Sequence, residues 1–119
     1  MIKSYVDLEV YQLSYNFSME IFELVRSFPP EEKYSLTSQV IRSSRSVSAN
    51  IAEGFAKRVY EGEFKRHLVY SRGSLEESKV WLTYARDCKY LHPERHQALQ
   101  LKADEIGAKL FKLFTNWKS

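Results

Sequence analysis

Apolar residues recur at helical spacing in four blocks of the chain, and nowhere do they alternate as strands do. The first block, about residues 8–27, carries two apolar stripes. One is Leu8, Tyr11, Tyr15, Phe22 and Val25; the other is Val10, Leu13, Phe17, Ile21, Leu24 and Phe28. Packing inside one small bundle uses only part of a helix surface. The double stripe therefore predicts a helix that also buries surface against another copy of the chain. Ser4 or Asp7 suits the N-cap, and Phe28-Pro29-Pro30 ends the block.

The second block opens at Ser35, a residue type suited to an N-cap, and runs to about Arg58. Leu36, Val40, Val47, Ile51 and Phe55 share one of its faces. The third, about 61–90, alternates steps of three and four through Phe64, Leu68, Ser71, Leu75, Ser78, Leu82 and Ala85. Small residues along that seam let a neighbouring helix approach closely. Leu91-His92-Pro93 breaks the chain, and Pro93 suits the first position of a new helix. The fourth block, about 93–117, places Leu99, Ala103, Ile106, Leu110, Leu113 and Trp117 on one face. Four helices with short turns predict an all-α fold, an antiparallel up-down-up-down four-helix bundle with residues 1–119 as one domain.

Composition narrows the class. At 119 residues and 44% hydrophobic content the chain can bury a core, so wholesale disorder is excluded. The longest uncharged run, Val10 to Met19, is too short and too polar to span a bilayer, so no membrane partner is expected. A lone cysteine, Cys88, and no signal-like run after Met1 lead to a cytoplasmic expectation. Net charge is +3, which is mild, but its distribution is uneven. Residues 1–35 hold three basic against six acidic side chains, whereas residues 36–60 hold four basic against one acidic.

Beside its apolar face the second helix carries a polar line of Gln39, Arg42, Ser46, Asn50 and Glu53, and the third offers Arg72, Ser74 and Glu77. Steps of three and four keep the line on one flank. Its plainer reading is a structural polar network bordering the core, with pairings of the Arg42–Glu53 and Arg72–Glu77 type fixing helix register. The other reading is a binding or catalytic groove.

These same residues carry a family resemblance. Leu36-Thr37-Ser38-Gln39, Arg42, Ser46 and the run Asn50-Ile51-Ala52-Glu53-Gly54 resemble the signature of the bacterial 23S rRNA-intervening sequence proteins. Phe64, Leu68, Arg72-Gly73-Ser74 and Glu77 are similar to that family's third helix, Asp104-Glu105-Ile106-Gly107 to its fourth, and Asp7-Leu8 to its opening. The resemblance implies an antiparallel four-helix bundle assembling as a homopentamer. It implies no known reaction, and at most an association with RNA or DNA. The architecture is similar to accessory proteins of diversity-generating retroelements, which bind nucleic acid and a reverse transcriptase. Against that pattern Ser43, Ser44 and Arg45 replace small apolar and branched residues, Ser48 a common proline, His67 an aromatic residue and Ser71 an alanine.

No catalytic or cofactor motif stands out. A di-iron bundle needs Glu-x-x-His pairs, and the sequence contains none. Cys88, His92 and His96 are spaced by four, but Pro93 interrupts them and no fourth ligand is apparent, so no metal is expected. There is no glycine-rich phosphate loop and no nucleophile motif. The remaining signal is cations near aromatics. Arg45, Arg58, Lys65 and Arg66 are the expected phosphate contacts, with Tyr60 and Tyr70 close by in sequence. The expected function is a non-enzymatic oligomeric scaffold or accessory protein that contacts nucleic acid. The alternative is a protein–protein interaction module whose charges serve solubility alone.

Overall fold

A computed structural model describes residues 2–118. Its helices are α1 (Glu9–Leu24), α2 (Leu36–Ala56), α3 (Glu61–Asp87) and α4 (Pro93–Asn116), and no strand occurs among the described residues. Short 3-10 turns at Tyr5–Asp7, Val25–Ser27 and Pro30–Glu32 flank α1 and lead into α2.

Ion pairs and hydrogen bonds fix the order of packing. Lys109 meets Glu9 at 3.0 Å near one end of the α1–α4 pair, and Lys102 meets Glu20 at 2.6 Å near the other. Those helices are therefore antiparallel. In the same sense Ser43 faces Ser78 at 2.8 Å and Asn50 faces His67 at 3.1 Å across α2 and α3. Thr83 approaches His96, and Lys79 meets Asp104, across α3 and α4. The expected antiparallel bundle is the observed one.

The α2–α3 pair packs most intimately, and small residues explain why. Ser71 donates its hydroxyl to the Val47 carbonyl at 2.7 Å, a bond that only close backbones allow. Ser43 and Ser44 are wholly buried, and each hydroxyl turns back to a carbonyl three residues earlier. The polar residues at 43 and 44 thus lie inside the bundle with local hydrogen bonds, and Ser43 adds its bond to Ser78 across the seam. Around them Phe17, Ile21, Val47, Ile51, Phe64, Leu68, Leu75, Leu82, Leu99 and Ile106 close the core.

Helix ends depart from the expected caps. Ser4 and Asp7 close the 3-10 turn ahead of α1, where Asp7 Oδ2 accepts the Lys3 and Ser4 amides at 2.9 and 3.1 Å. Ser35 precedes α2, but its hydroxyl donates to Glu32 at 2.7 Å, and Glu32 also accepts the Leu36 amide at 3.3 Å. A carboxylate from the preceding turn does the work expected of the serine, as its charge favours at a helix N-terminus. The third helix stops at Asp87, three residues short of the expected end. There the Tyr90 amide reaches back to the Ala85 carbonyl, with Lys89 between them in a left-handed conformation at φ 69°.

Candidate nucleic-acid interface

The turn between α2 and α3 sits at the pole of the bundle where α1 begins and α4 ends. It is tightened by amide-to-carbonyl bonds from Lys57 to Gly54 and from Tyr60 to Lys57, both at 2.9 Å. Beneath it lies an aromatic floor. The Trp117 ring meets Phe64 edge-on at 4.7 Å between centroids, and Phe55 lies 5.9 Å from Phe64.

Three of the four expected phosphate contacts lie at this end of the bundle, Arg58 in the turn and Lys65 and Arg66 in the second turn of α3. The Arg58 guanidinium folds over Phe55 at 4.0 Å from its centroid and donates to the Phe55 carbonyl at 2.9 Å. Lys65 lies 5.3 Å from the Phe114 centroid and 3.4 Å from a Glu61 oxygen. Arg66, with its side chain 60% exposed, pairs with Glu63 at 3.4 Å. Arg45 is elsewhere. It lies thirteen residues before Arg58 on α2, about 20 Å along the axis, with its guanidinium over Phe22 of α1 at 5.6 Å.

A polar seam runs from this pole along α2 and α3, and most of the expected network belongs to it. Lys57 Nζ lies 3.2 Å from His67 Nε2, and a Glu53 oxygen lies 3.7 Å from the same nitrogen. His67 Nδ1 meets Asn50 Oδ1 at 3.1 Å, and Asn50 donates to the Ser46 hydroxyl and carbonyl. Ser74 donates to Ser46 at 2.8 Å. Farther along, Arg42 bonds Gln39 at 3.0 Å and pairs with Glu77, which also accepts the Trp81 indole N–H at 3.0 Å.

The pairings differ from those expected. Arg42 reaches across to Glu77 rather than along its own helix to Glu53, which lies three turns away. Arg72 stands apart from the seam, with its guanidinium 5.7 Å from the Phe111 centroid on the α4 side. By sequence His67 is marked only as a departure from a family pattern; packing puts it at the hub of the seam. Its signal was present: a histidine at seam spacing between Phe64 and Ser71.

The Cys88, His92 and His96 spacing does not converge. Cys88 and His92 are exposed, whereas His96 turns inward to Thr83 at 3.3 Å and Gln100 at 2.9 Å. Burial, then the nearby Arg86, push the His96 imidazole below its ordinary pKa. Among the described residues no group of three or more metal-ligating side chains occurs.

Cations on aromatic supports beside exposed tyrosines suit phosphate and base contact. The family described as 23S rRNA-intervening sequence protein matches residues 6–112. A crystal structure of a protein of unknown function from the S23 ribosomal protein family of Bacteroides thetaiotaomicron VPI-5482 is similar in fold, with a TM-score of 0.81 and 23% identity. The alignment covers 90% of this chain and 96% of that one. No curated protein matches the chain.

Proposed function

The chain belongs to the 23S rRNA-intervening sequence protein family, and on that premise we propose that it is a non-enzymatic accessory protein that holds nucleic acid at the α2–α3 pole. One observation supports this most: Lys57 and Arg58 in the α2–α3 turn and Lys65 and Arg66 at the start of α3 bring four cations to one end of the bundle. Phosphates would displace the weak local carboxylate partners Glu53, Glu61 and Glu63, since exposed ion pairs contribute little. Arg45 acts as an outlying contact for a strand that continues up the α1–α2 flank.

The protein works as a homopentamer in the cytoplasm. Support for self-association comes from α1, where Tyr15 and Met19 remain 47% and 40% exposed beside half-buried Tyr11 and Phe22. A ring repeats the pole five times, so a weak site gains through avidity. Among the described residues no helix is long and apolar enough to cross a membrane.

Filter binding of ribosomal RNA fragments and DNA across a salt series tests the reading. Affinity should fall linearly with salt on logarithmic axes, and Arg58→Glu with Arg66→Glu should flatten that slope without melting the fold. Arg45→Glu should weaken binding less than Arg58→Glu. Wild-type protein that binds neither nucleic acid at low salt would favour the second reading, a protein–protein interaction module. That reading draws on a groove of about 150 Å³ lined by Leu68, Val69, Leu110, Phe111 and Phe114.

A further inference from the structure

Two tyrosines at the basic pole have an arrangement that phosphate contact leaves unused. Tyr60, at the start of α3, is 69% exposed, and among the described residues neither its ring nor its hydroxyl has a partner. Tyr70 is 50% exposed and stands edge-on to the His67 ring, with centroids 5.7 Å apart at 88°. Tyr60 is the N-cap residue of α3, with extended backbone, and Tyr70 lies ten residues beyond it on the same helix, beside His67. Ten residues of helix separate them by about 15 Å. Arg66, one turn before Tyr70, is also exposed.

The seam holds Tyr70 in place. His67 is 6% exposed, is gripped by Asn50 on one nitrogen and meets Lys57 on the other, so its ring has little freedom to turn. A tyrosine packed on a fixed ring presents a pre-set face at small entropic cost. Exposed rings among cations are the combination that takes unpaired bases, because every base has a π-face and every nucleotide a phosphate. Bases inside a duplex are stacked on one another and offer no such face.

Resting on the nucleic-acid reading above, we infer that the pole selects single-stranded nucleic acid, with Tyr60 and Tyr70 stacking on unpaired bases while Lys57 and Arg66 hold the backbone. The site is sequence-tolerant, since stacking on a ring and contact with a phosphate are available to every nucleotide.

Fluorescence anisotropy with a labelled oligoadenylate of about 12 nucleotides, within the usual site size, and with an adenine–uracil RNA duplex of equal length gives the test. Wild-type protein should bind the single strand about 10-fold more tightly. Tyr60→Leu and Tyr70→Leu should each lower single-strand affinity by about 5- to 100-fold and leave duplex affinity unchanged. Tyr60→Phe and Tyr70→Phe, which keep the rings, should bind as wild type, and thermal melts confirm that each variant folds. Equal affinity for strand and duplex, or leucine variants that bind the strand normally, would overturn the inference while salt-dependent binding left the phosphate reading intact. Failure to bind either probe at low salt would overturn both.

Discussion

Gly54 and His67 stand so close that a Cβ on the glycine would fall 2.5 Å from the histidine Cβ. That contact is set by the backbones of α2 and α3, and no rotamer change relieves it. Gly54→Ala gains about 1 kcal/mol of helix propensity but forces the tightest helix pair of the bundle apart. Overpacking of this kind costs about 1–3 kcal/mol, so urea denaturation should show a net loss. Gly73→Ala is the control, because a Cβ there meets nothing within 4 Å. It should raise stability by up to about 1 kcal/mol. A stabilised Gly54→Ala would mean the helices are farther apart than described.

Glu77 should matter more than Glu53. Glu77 is a third exposed and binds both Arg42 and the Trp81 indole, whereas Glu53 is 60% exposed with contacts near 3.7 Å. Removing Glu77 leaves a half-buried indole N–H without its acceptor, so Glu77→Ala should cost about 1–2 kcal/mol. Arg42→Ala should cost under about 1 kcal/mol, as its guanidinium stays largely in water. Glu53→Ala should fall within about 0.5 kcal/mol of wild type. Equal losses at 53 and 77 in thermal melts would contradict this ranking.

Acid should weaken the fold in two windows. His96 has a lowered pKa when folded, so just below its ordinary value of 6.5 the unfolded chain binds more protons than the native one. Stability then rises with pH across that window and is lost on acidification from 6.5 down to the folded value. His96→Gln, which cannot titrate, should abolish that part of the Tm change. Glu32 acts lower. Hydrogen bonds from Ser35, Tyr90 and the Leu36 amide hold its pKa below 4.5, so its contribution is present above 4.5 and disappears in stronger acid. Melts from pH 7 to 3 should resolve the two, and a His96→Gln profile parallel to wild type near pH 6 would refute the first.

The α1 surface should govern assembly. Tyr11, packed at the edge of the core, lies 6.2 Å from exposed Tyr15 and 4.8 Å from exposed Tyr5, so a row of rings leads out to the surface. Light scattering at micromolar concentration should give about five times the 14.0 kDa chain mass. Tyr15→Glu with Met19→Glu should shift the mass toward the single chain while helical circular dichroism persists. A wild-type monomer would remove both the ring and its avidity.

Much of this architecture was legible in the order of residues. Steps of three and four through Phe64, Leu68, Ser71, Leu75 and Ser78 define both a helix and the face it buries, because helical geometry acts over a few residues. Pro93 opened α4 and Pro29-Pro30 separated α1 from α2 for equally local reasons, namely a fixed φ and a missing N–H. The serine seam of α3 also announced a close neighbour. Even the composition of the polar line, from Gln39 to Glu53, followed from spacing alone.

Partners across helices were decided only by the tertiary structure. Arg42 meets Glu77 across thirty-five residues of sequence, and Tyr90 meets Glu32 across fifty-eight. Such pairs depend on how two helices are rotated and shifted against each other, which close packing at Gly54, Ser43 and Ser71 sets. The same register carries His67 into the seam between Asn50 and Lys57, turns Arg72 away toward Phe111, and separates Arg45 from the cations at the pole. Local sequence periodicity determines which side of a helix is buried. The choice of partner depends on the sum of many weak contacts along two helices, and that sum exists only once they are packed.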